Sequence, residues 1–532
     1  ERVSIETLPG FYLTGSLYRP KGKAGPFPAV AAPHGHWKEG RLTQAKDGNF
    51  PAMGISLARL GFVSFHYDMV GYADFKQLPH NSNDPAYFND PAWGQGLFGI
   101  QTWNSLRAID FIAALPDVDP KRIGCTGASG GGTQTFILTA IDDRIACAVP
   151  VNMVAAEFQG GCTCENAPFL RLGLNNVEIA AMTAPRPLLV IAATGDWTKN
   201  VPTLEGPALR KTFETLGAGD KFRAVQFDAP HNYNQDSREA MYAWMVRWLQ
   251  NGPDQPKIAE PPSPPVKKED LAVWTDEHKL PGAAVNADAL KKLLREKITA
   301  QLASLQPKDA ASLKKFRDLV EPAWRVMIPA RTPTPAPGGM AATDAVLVVC
   351  TRAEEATELV GALKGRTAQV LVLGGHEPEP TAGGDANQRK GFPATFYRTE
   401  LTRQVEDILT ELSKLTAQGR GPALRLVGLG DAALPVLLSR VVAGPAIAVS
   451  QTIVDASTLD AAVESSKHPA LLRLGGWQGA AALAPAGYLA LHGKKFEADA
   501  IRASYKAAGR EGAITISDEA WSRDRVLQEL AR

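Results

Sequence analysis

The chain has 532 residues, is 45% apolar and 21% charged, and carries a formal net charge of +1. That length exceeds what one hydrophobic core fills, so two domains and a connector are expected. The charge balance excludes an electrostatic grip on nucleic acid or anionic lipid, and no apolar run reaches membrane-spanning length.

Five cysteines (Cys125, Cys147, Cys162, Cys164, Cys350) are too few for a disulfide framework. Cys125 and Cys147 fall in strand-like runs and read as small core residues. The chain opens on Glu1-Arg2-Val3 in mid-pattern, as it would if a targeting segment had been removed. A secreted or periplasmic location is then the expectation, with a cytoplasmic one left open.

Residues 3–19 alternate apolar and polar side chains, which predicts antiparallel edge strands. An apolar run, 27–32, ends at Pro33-His34-Gly35-His36-Trp37. A helical stretch over 51–60 leads to a second run, 61–68. A long loop over 69–99 is rich in Asn, Asp, Pro and aromatics, and a helix covers 102–115 with Ile109, Ile112 and Ala113 on its apolar stripe. Further buried strands are predicted at 145–151, 187–193 and 222–228, with a closing helix over 237–249. Buried strands alternating with helices imply a doubly wound, mostly parallel sheet, an α/β fold.

The chemistry centres on Ile123-Gly124-Cys125-Thr126-Gly127-Ala128-Ser129-Gly130-Gly131. It reads as a strand, a sharp turn and a helix start, with Ser129 at the turn in a G-x-S-x-G pattern. Glycines flank such a residue because side chains there would strike neighbouring backbone. Ser129, Asp196 and His231 each follow a strand's carboxyl end, where an open α/β sheet places its ligands. A serine hydroxyl is a poor nucleophile until an imidazole takes its proton and a carboxylate orients that imidazole. Ser129 is therefore the candidate nucleophile, His231 the general base and then acid, and Asp196 the orienting group. Glu205 is a weaker candidate for the acid. The developing oxyanion needs two fixed donors. The Gly130 N–H is one candidate and the His36 N–H the other, while His34 reads as structural.

Several stretches carry a family resemblance. These are Pro33-His34-Gly35, Asp68 with Gly71-Tyr72, Leu106-Arg107-Ala108-Ile109-Asp110-Phe111, Asp119-Pro120-Lys121-Arg122-Ile123-Gly124, the Ser129 turn, and Ala229-Pro230-His231. In these the first 250 residues resemble the α/β-hydrolase superfamily, nearest its acetyl xylan esterase and dienelactone hydrolase-like members. Two departures stand out. Dienelactone hydrolases typically use cysteine where this chain has Ser129. The related glucuronoyl esterases carry Arg after the serine, where this chain has Gly130, so recognition of a sugar acid does not carry over.

Residues 152–184 form an insertion where hydrolases usually build a lid or pocket wall. Its Cys162-Thr163-Cys164 puts two thiols one residue apart. Two thiolates without a second ligand pair nearby make a poor metal site. Loop packing is the expectation, with a strained local disulfide as the alternative. Glu165, Asn166 and Arg171 are candidates either for substrate contact or for fixing the loop to itself. Trp37, Tyr72, Trp93, Trp197 and Tyr233 fall in loops near the catalytic positions, where aromatic faces stack against sugar C–H faces.

Residues 251–340 read as a Pro-rich linker and helical connector, with an amphipathic helix over 288–305 and a second Pro-rich break at 331–339. From 341 to 532 the alternation resumes, with strands expected at 345–349, 369–373 and 446–449 and a strand running into a turn over 424–432. This repeats the order of the first domain, residues 1–250, and the position equivalent to Ser129 falls at Gly430. The second unit thus resembles a degenerate α/β-hydrolase domain without a triad, with an unrelated flavodoxin-like unit as the alternative.

The resemblance implies a serine carboxylesterase working through an acyl-enzyme on carbohydrate esters, as in acetyl xylan deacetylation. Alternatives are another ester or amide substrate (feruloyl, glucuronate, aromatic polyester or peptide) on the same three side chains, and a binding protein with a vestigial triad. The expected partner is a small-molecule or polysaccharide ester, with no nucleic acid and no membrane. Neither a metal nor an organic cofactor is expected, and oligomeric state is left open.

Overall fold

The computed structural model describes residues 1–333, 344–363, 366–377, 384–420, 424–443, 447–483 and 487–532. The chain divides into two units. The first comprises residues 1–89, 96–291 and 380–396, and the second residues 90–95, 292–379 and 397–532.

The first unit is built on an eight-stranded sheet. Its strands are β1 (Arg2–Leu8), β2 (Phe11–Tyr18), β3 (Phe27–Ala31), β4 (Val63–Tyr67), β5 (Val118–Ala128), β6 (Ile145–Val151), β7 (Leu188–Gly195) and β8 (Phe222–Pro230). Their order across the sheet is β1-β2-β4-β3-β5-β6-β7-β8. Only the β1–β2 and β2–β4 pairs are antiparallel. The rest are parallel.

The composition of the strands explains this layout. Strands β3 and β4 are buried along their whole length, and β6 nearly so, as a sheet covered on both faces requires. The helices α1 (Phe50–Arg59), α2 (Leu97–Ala113), α3 (Gly130–Ile141), α4 (Glu205–Thr215) and α5 (Gln235–Leu249) cover it. Phe50, Met53 and Leu57 of α1 join Met241, Trp244 and Met245 of α5 in one apolar cluster. Ile109 and Ile112 of α2 pack in another with Ala29, Val63 and Ile123.

The Pro-rich stretch after α5 is extended, but it is bound to the first unit. Glu260 pairs with Arg238 at 2.5 Å and accepts from the Tyr242 hydroxyl. Val266 exchanges two hydrogen bonds with the Gln44 side chain, and the Val285 N–H donates to Gly10. Residues 331–333 of the second Pro-rich break are described; the remainder, 334–339, lies outside the described residues.

The second unit has a six-stranded, all-parallel sheet. Its strands are β9 (Ala345–Cys350), β10 (Thr367–Val372), β11 (Leu424–Gly428), β12 (Gln451–Asp455), β13 (Tyr488–His492) and β14 (Ile514–Ser517), in the order β10-β9-β11-β12-β13-β14. That order reproduces β4-β3-β5-β6-β7-β8 of the first unit without the two antiparallel strands. The strand expected at 446–449 instead forms five residues later. Residue 446 is outside the described residues, while 447–449 are irregular. The β-branched Thr452-Ile453-Val454 take the ladder, as their stiff side chains suit a pleated surface. No helix among the described residues is long and apolar enough to cross a membrane.

Two buried histidines tie stability to pH. Burial pushes His34 and His66 down to about 3, with the Arg41 charge adding to the effect on both. Neither ring nitrogen of His66 has a hydrogen-bond partner. Both folded values lie below that of a free imidazole. The unfolded chain therefore binds more protons between about pH 6.5 and 3, and acidification through that window favours unfolding. Asp68 opposes this below about pH 6, because burial raises its carboxyl to about 6 despite Arg41 beside it. Thermal midpoints at pH 7 and pH 5 should fall for the wild type and fall less for His66→Phe. The difference expected from His66 alone is about 2 kcal/mol. An equal fall in both proteins would remove His66 from this account.

Candidate active site

The Ser129 turn is a backbone collision avoided. A Cβ at Gly127 or at Gly131 would stand 2.3 Å from the Pro33 carbonyl oxygen. Glycine at both positions lets β5, the start of α3 and the loop after β3 close on one another. Ser129 sits between them with φ +57°, the strained conformation that lifts its side chain off the sheet edge. It is 9% exposed. A Cβ at Gly35 would meet the Ser129 Cβ at 2.8 Å and the Trp37 ring at 2.7 Å, so the loop after β3 passes directly beside the nucleophile position. Gly130 is the first residue of α3, where backbone N–H groups lack helical partners. A Cβ there would meet His36 Cε1 at 2.9 Å.

On the other side of the turn, His231 Nδ1 lies 2.8 Å from Asp196 Oδ2. The second Asp196 oxygen accepts from the Thr198 N–H at 2.7 Å and from its hydroxyl at 2.5 Å. The carboxylate is thus held from both sides, and Nδ1–H is the tautomer it selects. His231 Nε2 is buried with no hydrogen-bond partner, so the Ser129 hydroxyl is not bonded to it in this state. Hydrogen bonds of this kind often form only with substrate present. The His231 loop is tied back to the turn through Asn152. The Ser129 N–H donates to Val151, and the Asn152 side chain donates to the Asn232 carbonyl at 2.9 Å. Asn152 has φ +49°, which asparagine tolerates better than most residues.

The strand order, the strained serine turn and the Asp196–His231 pair point one way. The sequence profile described as Acetyl xylan esterase (AXE1) matches residues 95–169, which span the turn. The first unit has the α/β-hydrolase fold. Putative hydrolase YtaP of Bacillus subtilis (strain 168) is 24% identical over 46% of this chain and 84% of its own length. The 4-O-methyl-glucuronoyl methylesterase of Podospora anserina is 26% identical over 38% of this chain, which spans only 46% of that protein. Among solved structures, Methylesterase BT1017 is 32% identical over 57% of this chain and 66% of its own, with a TM-score of 0.46.

Several of the sequence candidates lie close to one another in pairs. Phe158 stacks on Trp197 at 4.1 Å, and Trp197 lies 4.4 Å from the His231 ring. A cleft of about 470 Å³ opens beside Asp196 and Trp197, with Phe158, Lys199 and Asp385 in its wall. Trp37 is half-buried, packs edge-on against Phe50 and donates to Asp47. Tyr72 stands edge-on to His34 and His80 at 5.3 and 4.8 Å. His34 is structural: Nδ1 donates to the Gly35 carbonyl and Nε2 accepts the Met69 N–H.

Three candidates sit elsewhere. Tyr233, expected in the substrate site, is 0% exposed. Its ring is part of the core and its hydroxyl bonds Thr126 at 2.6 Å, because the chain turns inward directly after His231. Trp93 belongs to the second unit, where Arg295 covers its ring. Glu205 is occupied by the Ala156 N–H, leaving Asp196 as the partner of His231.

The insertion after β6 is cross-linked from within. Arg171 is fully buried and donates to Asn176 Oδ1, Asn166 Oδ1 and the Glu165 carbonyl. Asn166 in turn holds the carbonyls of Gly160 and Cys162. These two residues fix the loop to itself. Glu165 is buried, and its Oε2 accepts the Cys162 N–H. Burial raises its carboxyl, against the pull of His36. Its Oε1 would lie 3.6 Å from a Cβ at Gly130, so it borders the turn.

The Cys162–Cys164 pair does not stand alone. Cys162 Sγ lies 3.2 Å from His80 Nε2, and Cys164 Sγ lies 3.2 Å from His36 Nε2. Both thiols are free. Hydrogen bonds from Cys164, His36 and His80 draw the Cys162 thiol far down, whereas burial pushes Cys164 far up.

Gly131→Ala tests the backbone approach. It should cost about 1–3 kcal/mol or more of unfolding free energy, read from denaturant titration, because the Cβ meets backbone and not a movable side chain. A near-neutral result would mean that Pro33 and the turn can separate freely.

Proposed function

We propose that this chain is a serine carboxylesterase acting through an acyl-enzyme on carbohydrate esters. The observation that carries this reading is the Asp196–His231 pair, set at the strand ends beside a serine held at φ +57°. Ser129 Oγ attacks the ester carbonyl carbon while His231 Nε2 takes its proton. Asp196 stabilises the imidazolium that forms. The tetrahedral oxyanion is received by the Gly130 N–H at the start of α3 and by the His36 N–H of the adjoining loop. Collapse releases the alcohol, protonated by His231. Water, activated by the same imidazole, then frees the acid.

Trp37, Tyr72 and Trp197 supply the faces a sugar ring would stack on. Glu165 borders the acyl side. The carbohydrate assignment is supported by the acetyl xylan esterase profile over residues 95–169 and by relatives named as methylesterases. A deacetylase reading is favoured over a uronate methylesterase by Gly130. A Cβ there would stand 2.9 Å from His36 Cε1, so the Arg that glucuronoyl esterases carry at this position has no counterpart here and would require the His36 ring to move.

Two measurements test the reading. A fluorophosphonate probe should label the wild type and not Ser129→Ala, and a folded wild type that stays unlabelled would sink it. Asp196→Asn should keep binding but lower kcat about 10³–10⁴-fold, since the imidazole loses its orienting charge. A panel of acetylated xylo-oligosaccharide, methyl glucuronate, feruloyl and peptide substrates should give the highest kcat/KM on the acetyl ester. Faster turnover of methyl glucuronate would replace that assignment.

A further inference from the structure

His36, His80, Cys162 and Cys164 bring one ligand atom each into a cluster in which all four lie within 4.8 Å of one another. The two closest N···S contacts are both 3.2 Å. In a tetrahedral Cys₂His₂ zinc site, with Zn–S of about 2.3 Å and Zn–N of about 2.0 Å, the ligand atoms stand about 3.3–3.8 Å apart. The two 3.2 Å contacts fall close to that range, and since no two ligand atoms lie more than 4.8 Å apart, closing the cluster on one ion takes shifts of about 1.5 Å or less along any edge. We propose that these four residues bind one soft divalent cation, zinc by ligand chemistry, as a closed structural site.

The surroundings are those of a ligand set. His80 Nδ1 lies 2.7 Å from the Val70 carbonyl, which fixes its proton there and turns the Nε2 lone pair toward Cys162. The Cys162 backbone is held at both ends, its N–H by Glu165 and its carbonyl by Asn166. Between the two thiols, Thr163 accepts from the Tyr87 hydroxyl. Two thiolates and two neutral imidazoles around a divalent ion give a neutral site, which suits its half-buried place beside the Glu165 carboxylate. The ion and protons compete for the same ligand atoms, so binding should weaken as pH falls. Four protein ligands leave no open position, so the ion's role is to tie loops and not to activate water.

The loops it ties are the ones that make the site. His36 comes from the loop after β3, His80 from the long loop after β4, and both cysteines from the insertion after β6. These segments are separated by 82 and 128 residues across the two closest contacts. Cross-linking segments that far apart removes more chain freedom than a local link would. The site stands independently of the esterase reading, because its readouts do not involve turnover.

The test uses the whole chain, purified under a phosphine reductant and incubated with one equivalent of zinc sulfate. Elemental analysis after gel filtration should find about one zinc per chain. Cys162→Ser/Cys164→Ser and His80→Ala should each lose most of it. Cobalt in place of zinc should give a thiolate-to-cobalt charge-transfer band and the intense visible bands of tetrahedral geometry. Should the double variant fail to fold, the wild type still decides. Removal of the ion by a chelator should lower Tm by about 5 °C or more, with recovery on adding zinc. Less than a tenth of an equivalent of zinc, with both thiols reacting with Ellman's reagent as fast in its presence as in its absence, would overturn the proposal. Selective alkylation of Cys162 in the presence of zinc would do so too, and would mark it as a reactive thiol between two imidazoles.

Discussion

One backbone contact governs the first unit: the Pro33 carbonyl lies where a side chain at either Gly127 or Gly131 would have to go. That approach sets the height of Ser129 above the sheet and brings Gly35 against its Cβ. The strain at φ +57° is sustained because buried strands on both sides leave the turn nowhere to relax. The Asp196–His231 pair depends on a different support, the end of β7 and the loop after β8. Asn152 couples the two, since it follows β6 and reaches the carbonyl next to His231. The candidate site, assembled from three strand ends, thus has one element fixed by backbone packing and one held by side-chain hydrogen bonds.

Much of this was legible because strand ends leave a signature. An apolar run followed by a polar residue marks the carboxyl edge of a buried strand, and Ser129, Asp196 and His231 all stand there. The G-x-S-x-G spacing adds a steric reason of its own. Local pattern failed where the third dimension decides. Tyr233 reads as a loop aromatic, yet the chain turns it into the core within two residues of His231. Trp93 lies in a loop of the first domain by sequence and belongs to the second unit by contact. The His36–His80–Cys162–Cys164 cluster has no local motif at all, because its two halves are separated by whole strands and helices. Only the C-x-C half was visible, and half a ligand set argues against a metal.

The second unit repeats the inner six strands of the first in the same order. Its turn after β11 also keeps a left-handed residue, Gly430 at φ +52°, where the first unit has Ser129 at φ +57°. The positions following β13 and β14, which correspond to those of Asp196 and His231, hold Gly493 and Asp518. A turn without a nucleophile, a glycine and an aspartate do not make up the serine, acid and histidine set of the first unit's strand ends. What has been kept is the backbone path, which the parallel sheet and its helices enforce whatever side chains sit at the edge. A flavodoxin-like sheet shares the first five positions of this order. The sixth strand is a position that this five-strand order lacks and that the first unit also has.

The wall of the site draws on a part of the chain far from the rest of the first unit. Gln388 accepts the Gln159 N–H and donates to the Gly160 carbonyl, across 229 and 228 residues. Ala394 and Thr395 accept from the Phe169 and Arg171 N–H groups. An insertion that must bury a guanidinium such as Arg171 needs every donor matched, since an unmatched buried charge costs several kcal/mol. Its acceptors come from Asn166, Asn176 and the Glu165 carbonyl, all inside the insertion. The outer edge of the insertion is then completed by backbone from residues 384–396. A loop satisfied from within and edged from outside has few alternative conformations. Residues 158–171 therefore form one fixed surface in the wall beside Asp196 and Trp197, set by the insertion and not by the strand ends.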